Sequence, residues 1–511
     1  MSGRSKIVVI GSGMGGLACA IDLAAAGHEV TVVERAATPG GKMHQVAVGN
    51  RRLDGGPTIL TMRWVFDQLF ADAGAELDTH VALRPAGLLA RHAWSRSEHL
   101  DLFAEVDRSA DAIGAFAGAR EARGYRAFAA ESARIYGALR DTFLTRDRCG
   151  LVGLSWRIAQ QNLPALFALR PYETLWQALG DHFRDPRLRQ LFGRYATYCG
   201  ASPFEAPATL MLIAHVEQQG VWLVDGDMRA LADAMAALAA SREVVFRYQA
   251  EAERILVRHG RATGVALRSG EEIAADAVVV AADASALRAG AFGPEAAAAV
   301  GGARAPVRSL SAVTWAMSAH AEGLTPARHN VFFSRDYRAE FDDLAQGRVP
   351  AQPTVYLCAQ DRDDAGEGAG GAERLFLLIN APADGDRSAR DARELARCET
   401  TVLDHLRSCG LAVTPTGSPT VTTPREFEAM FPHTGGALYG QAMHGWAAAF
   451  RRPGSRSRLP GLYLAGGSVH PGAGVPMAAL SGRLAARRLM QDRASTSTFR
   501  RGATAGGTSM P

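Results

Sequence analysis

Gly11-Ser12-Gly13-Met14-Gly15-Gly16 is the first cluster whose residue types and spacing can do chemistry, and that chemistry is phosphate binding. It directly follows the β-branched run Lys6–Ile10 and precedes Leu17, Ala20, Ile21 and Ala24 at helical spacing, with Gly27 as a stop. A second apolar run, residues 30–33, ends at Glu34 and Arg35. In this order Gly11 permits a tight turn, Gly13 lets backbone approach a pyrophosphate, and Gly16 lets the helix pack against the strand. The helix start at Met14 and Gly15 offers free N–H groups to an anion, and Glu34 can accept from ribose hydroxyls. These residues predict a dinucleotide cofactor.

Two more glycine turns, Pro39-Gly40-Gly41-Lys42 and Asp54-Gly55-Gly56-Pro57-Thr58, follow within about twenty residues of Glu34. A nicotinamide enzyme would continue with strand and helix alternation, whereas turns this close suggest backbone laid along an extended cofactor. A further block lies near the other end: Phe431-Pro432-His433-Thr434-Gly435-Gly436-Ala437-Leu438-Tyr439-Gly440, then Leu462-Tyr463-Leu464-Ala465-Gly466-Gly467, then His470-Pro471-Gly472-Ala473-Gly474-Val475-Pro476-Met477. A strand, the Gly466-Gly467 turn and a helix start carrying Val475, Pro476 and Met477 make a second helix N-terminus able to meet the cofactor. His470 is the tempting base here, although a histidine before proline can simply cap a turn. His433, Tyr439 and His444 are candidates for lining the substrate site. No HExxH pair, nucleophile elbow or paired-carboxylate motif can be placed at the cofactor, so no side chain is nominated as the catalyst and no metal is expected.

The elements that must position these residues fit a chain of 511 residues, 47% of them hydrophobic and 21% charged, which is long enough for two or three domains and a large ligand cavity. Net charge is +4, and Arg493, Arg500 and Arg501 in the acid-free tail hold three of the four excess charges. The body is nearly neutral, which argues against a nucleic-acid partner. Six cysteines without a CxxC pair suit a reducing compartment. No apolar run of about 20 residues free of glycine and proline occurs, so no spanning segment is expected and surface attachment to a membrane stays open. Residues 151–179 are rich in Leu, Phe and Trp, with no charge between Arg157 and Arg170. They read either as a buried helix pair or as an apolar lid that touches a membrane and admits an apolar substrate. From Gly220 the α/β pattern returns, with a helical run at 231–240 and strand-like segments at 244–248, 254–258, 263–267 and 277–281. The α/β fold expected is a Rossmann-like domain interrupted by a substrate domain: cofactor parts at 1–94, 220–300 and 421–492, a helical lid at 95–219, an α+β substrate domain at 301–420, and a disordered tail at 493–511.

The acid-terminated strand, the Gly41-Lys42 segment and the late glycine block together resemble the FAD enzymes of the amine oxidase and phytoene desaturase superfamily. The stretch LYLAGGSVHPGAGVPMA is the most specific part, and the resemblance covers roughly residues 5–490. It implies that Glu34 holds the adenosine ribose, that Gly41 and Lys42 run along the pyrophosphate side, and that Gly56, Pro57 and Thr58 sit near the flavin. At Ala252 the family usually has a valine near the adenine, so alanine weakens that contact. FPHTGGALYG is similar to the hydroxycarotenoid 3,4-desaturases, which implies oxidation of an acyclic hydroxylated carotenoid by FAD, with oxygen or a quinone as electron acceptor. A phytoene desaturase or carotenoid isomerase shares these motifs, and a lipid carrier of the GDP-dissociation-inhibitor type shares the architecture. A bilayer-dissolved substrate implies a peripheral position on the cytoplasmic membrane face.

Overall fold

The computed structural model describes residues 4–161, 169–301, 306–363, 368 and 371–503. Its nucleotide-side sheet has five parallel strands in the order Leu462–Leu464, Ala277–Val280, Lys6–Ile10, Glu29–Val33, Val245–Arg247. Strands from three distant stretches of sequence meet there, and their continuous apolar runs reflect burial on both faces. The first helix, Met14–Ala25, lies against the C-terminal helix, Val475–Ala503. The two approach this closely because glycine faces glycine. A Cβ on Gly482 would stand 2.0 Å from the Gly15 carbonyl oxygen, and one on Gly15 would stand 2.7 Å from Gly466 Cα. Arg483 ties the pair at the rim through Asp22, 3.0 Å away, and Asp72. A three-stranded antiparallel meander, Ala252–Arg258, Arg261–Leu267 and Glu272–Ala274, covers the other face.

The second sheet has eight strands, built around the antiparallel pair Ser311–Gly323 and Glu373–Ala381. Its side chains alternate strictly. Trp315, Val355, Leu357, Leu375, Leu377 and Ile379 pack with Val402 and Leu406 of the helix Ala392–Ser408, whereas Thr314, Tyr356, Phe376, Leu378 and Asn380 face a cavity. Period-two alternation thus makes one face a core and the other a wall. A helical layer surrounds the buried aromatic stack of Phe128, Phe183 and Phe192, the last two with ring centroids 4.9 Å apart.

Two expected boundaries change. The hairpin Leu88–Ala93 and His99–Phe103 belongs to the eight-stranded sheet, because Leu88–Ala93 pairs in parallel with His329–Phe332; a division at residue 94 would cut this hairpin. The C-terminal helix also continues past Asp492 to Ala503 where a disordered tail was expected; residues 504–511 lie outside the described residues. Among the described residues no helix is long and apolar enough to cross a membrane.

Candidate functional site

The glycine turn adopts the geometry its sequence requires. Gly11 has φ +99°, a region that favours glycine, and a Cβ on Gly16 would stand 2.0 Å from the Gly11 carbonyl oxygen. Gly13 is the N-cap of the first helix with no side chain capping it and no acid in the first turn. The positive end of the helix dipole is therefore left for a ligand anion. Glu34 receives hydrogen bonds from the Ser12 backbone at 2.8 Å, the Ser12 hydroxyl at 2.9 Å and the Ala36 backbone at 2.8 Å. A carboxylate has about four acceptor positions, so the carboxylate is held in place at the strand end and keeps room for a ribose hydroxyl. Residues 249–250 bond to the backbone of Glu34 and Ala36, which brings the strand beginning at Ala252 to this end of the sheet. Arg35 reaches the carbonyls of Ala429 and Met430, at 2.6 and 2.7 Å, where it meets the negative end of the helix Pro424–Met430.

The remaining motif residues converge on one cavity of about 530 Å³. Lys42, Gly56, Pro57, Thr58, Tyr439 and the helix start at Val475, Pro476 and Met477 all line it. Gly56 is pressed on the Lys42 carbonyl, which a Cβ would meet at 2.0 Å. The Lys42 ammonium donates to the Leu438 carbonyl at 2.5 Å and lies 5.4 Å from the Phe431 ring centre, and burial lowers its pKa. Gly466, at φ +105°, donates its N–H to Ser481 Oγ at 3.2 Å, and the Gly467 carbonyl accepts from Arg452 at 2.8 Å. An uncapped helix N-terminus, glycine backbone that excludes side chains, and a fixed acid at the second strand end fit an extended dinucleotide.

Two histidine expectations change. His433 is exposed at φ +66°, its backbone N–H bonded to Glu428. His444 accepts from the Ser202 N–H at 3.2 Å through Nε2 and places Nδ1 3.2 Å from Glu205. Neither lines the cavity, because the glycine turns on both sides of Leu438-Tyr439 send the loop outward; of the three residues proposed there, Tyr439 alone does. His470 is buried behind that wall, with Nε2 donating to the carbonyls of Phe143 and Arg146 at 3.1 and 2.9 Å. Burial lowers its pKa. It fastens the late glycine block to the π-helical turn Arg140–Leu144, whose Phe143 and Leu144 line the cavity.

Sequence reasoning missed several residues of this site. Arg452 is 1% exposed and bonds three carbonyls, those of Gly467, Tyr439 and Gln441, at 2.8, 3.0 and 3.0 Å. Tyr356 joins Thr58 Oγ1 at 2.6 Å to His329 Nδ1 at 2.8 Å. Arg194 and Tyr198 line the cavity beside them. The partners of Arg452 and Tyr356 lie more than ten residues away, and the Arg194–Tyr198 pair, four residues apart, carries no motif; only the near-absence of lysine could have drawn attention to these arginines.

Asp54, which opens the Gly55-Gly56 turn, is clamped by Gln360 through its backbone and accepts from the Met228 N–H at 2.7 Å. Burial, with Asp227 adding to it, raises its pKa to about 7. The folded protein therefore binds a proton that the unfolded chain releases near pH 4, so Asp54 makes stability fall as pH rises from about 4 to about 7, by about 1.4 kcal/mol per unit at most. Asp54→Asn is expected to flatten this slope. Urea midpoints of both proteins at pH 5 and pH 7.5 check it, and an equal fall in the two would refute the assignment.

A parallel nucleotide sheet with an intruding antiparallel substrate sheet, closed over one cavity by glycine turns from both chain ends, defines an FAD-binding oxidoreductase. The family model described as flavin containing amine oxidoreductase matches residues 14–490, and the chain belongs to that family. Within it, the chain is 53% identical to a hydroxyneurosporene desaturase of Rubrivivax gelatinosus, over 99% of this chain and 97% of the relative. It is 45% identical to a hydroxyneurosporene desaturase of Cereibacter sphaeroides, over 96% and 99%, and 27% identical to a 1-hydroxycarotenoid 3,4-desaturase of a Flavobacterium, over 94% and 98%. A putrescine oxidase bound to putrescine shares the fold at 13% identity, with a TM-score of 0.58 over 96% of this chain and 99% of that one. The chain is an FAD-dependent oxidoreductase of the carotenoid desaturase group.

Proposed function

We propose that this chain introduces the C-3,4 double bond into 1-hydroxylated or 1-methoxylated acyclic carotenoids. The observation that carries the reading is the cavity, whose wall between the cofactor turns and the surface is built from groups such as Phe143, Leu154, Ile158, Leu210, Val216 and Phe450. Bound FAD supplies the hydride acceptor. The chain's residues bind the polyene along this wall, align its end with the Gly56 to Thr58 turn and exclude water. The hydride would go to bound FAD and the neighbouring proton to solvent at the cavity mouth, and positive charge spread over the conjugated chain would make that proton acidic enough that little acid–base machinery is needed. Pigments from cells making 1-hydroxyneurosporene, with and without this chain, test the reading. A loss of two hydrogens with a red-shifted polyene band is expected; unchanged pigment there, with conversion of phytoene or altered cis/trans isomers in parallel strains, would overturn it.

The reading also places the protein on the cytoplasmic membrane face. Val152, Trp156 and Tyr172 are 86%, 65% and 83% exposed, while Leu151 and Trp446 are at once exposed and part of the cavity wall. Residues 162–168 of this apolar stretch lie outside the described residues. An exposed apolar patch at a cavity mouth supports entry of substrate from lipid. The double variant V152S/W156S is expected to reduce co-sedimentation with phospholipid vesicles at least about tenfold while retaining bound flavin; unchanged sedimentation would count against a lipid contact here. Oxygen or a membrane quinone is the terminal electron acceptor, and turnover that resumes without oxygen on addition of a soluble quinone selects the second.

A further inference from the structure

Arg194 is a half-buried cation in the cavity wall, and it is under-used. Among the described residues its guanidinium makes one hydrogen bond, from Nη2 to Tyr198 Oη at 2.9 Å, and no carboxylate lies within 4.0 Å. Its Nε is buried without a partner. A buried donor left without a partner is costly unless something else completes it. Behind it, Tyr198 and Tyr195 donate to the two oxygens of the buried Glu217 carboxylate at 2.8 and 2.7 Å. Burial works against the Arg194 charge but is outweighed by Tyr198, Glu217 and Tyr195. The cation is thus held charged and in place, with donors to spare.

Its position adds a second argument. Arg194 shares the cavity wall with Tyr356 and Tyr439, and Tyr356 is bonded to Thr58 of the turn expected at the flavin. All of these residues except Glu217 and Tyr195 line the cavity. In a C-3,4 desaturation the oxygen on C-1 lies three bonds from the reacting C-3, so its protein partner must stand beside the cofactor and not at a remote end of the tunnel. Arg194 and Tyr198 line the same cavity as Thr58 and the helix start at Val475. A guanidinium is a donor only, so it serves an alcohol and its methyl ether alike, while a hydrocarbon end group would leave it unpaired.

We infer that Arg194 and Tyr198 bind the end-group oxygen of the substrate and thereby select oxygenated polyenes over hydrocarbon ones; Glu217 and Tyr195 are positioning residues for that pair. The inference rests on the function proposed above. It is tested by kcat/KM of the flavin-loaded protein on a 1-hydroxylated acyclic carotenoid and on the same polyene lacking the hydroxyl. The intact protein is expected to prefer the alcohol by at least about 100-fold, since a site built to hydrogen-bond a substrate oxygen rejects analogues lacking it. Arg194→Met is expected to lower kcat/KM on the alcohol about 100-fold while changing the hydrocarbon rate less than about threefold, so that the preference collapses. Tyr198→Phe is expected to reduce the preference in part, and Arg194→Lys to keep part of it. Bound-flavin absorbance and the melting temperature report folding; if R194M loses flavin, Y198F and R194K carry the same comparison. Equal losses on both substrates, or an unchanged preference, would overturn the inference while leaving the proposed function standing. An intact protein that oxidises only the hydrocarbon overturns both.

Discussion

Replacing Arg452 by methionine is expected to cost about 3–5 kcal/mol of stability and to release the flavin. The side chain is almost fully buried, and its fork joins two loops that approach the cofactor from different directions: Tyr439 and Gln441 on one, Gly467 on the other. Methionine fills much of the volume but donates nothing, leaving three buried carbonyls without this donor. Each orphaned group costs about 1–3 kcal/mol before any relaxation. Burial lowers the Arg452 pKa, with Cys199 and Asp283 acting the other way, so the charge is tolerated because the carbonyl cage receives it. Arg452→Lys keeps the charge but not the fork and is expected to fall between the two. Thermal unfolding and the ratio of flavin to protein absorbance check this; an R452M protein with normal melting and full flavin would show that the loops hold themselves.

The second large effect is expected at the crossing of the first and last helices. Gly482→Val places a Cβ 2.0 Å from the Gly15 carbonyl oxygen, and no rotamer change relieves a clash with backbone. The helices must separate, and because Gly15 also touches Gly466, separation opens the dinucleotide turn and the late glycine turn together. A loss of at least about 3 kcal/mol with release of flavin is expected, at the upper end for overpacking because the obstacle is main chain. Gly137→Ala is the control. It lies in the helix Ala119–Leu139 with nothing within 4 Å of an added Cβ, and it is expected to be neutral or stabilising by up to about 1 kcal/mol. Denaturant midpoints for the two variants separate crowding from a general sensitivity to glycine replacement.

The dinucleotide turn was legible because its constraints are local. Gly11 at positive φ, the helix start at Met14 and the acid at Glu34 are consecutive features of one strand, turn and helix, so residue type and spacing alone carry them. The late block ending at Met477 was legible for the same reason. By contrast His433 and His444 were expected in the cavity wall and are not there. Their positions depend on loops whose path is set by Glu428, Ser202 and Glu205, some of them more than two hundred residues away.

By itself, then, the sequence determined where backbone must turn tightly and where a helix N-terminus is left open to an anion, at both ends of the chain. Tertiary structure alone decided which faces of the eight-stranded sheet became core or wall, that the hairpin beginning at Leu88 would join it, that Arg452 would be buried and that Arg194 would line the cavity. The physical reason is range. Steric limits on φ act within one residue and are written in residue type, whereas strand pairing and the satisfaction of a buried guanidinium depend on partners that folding brings from elsewhere in the chain.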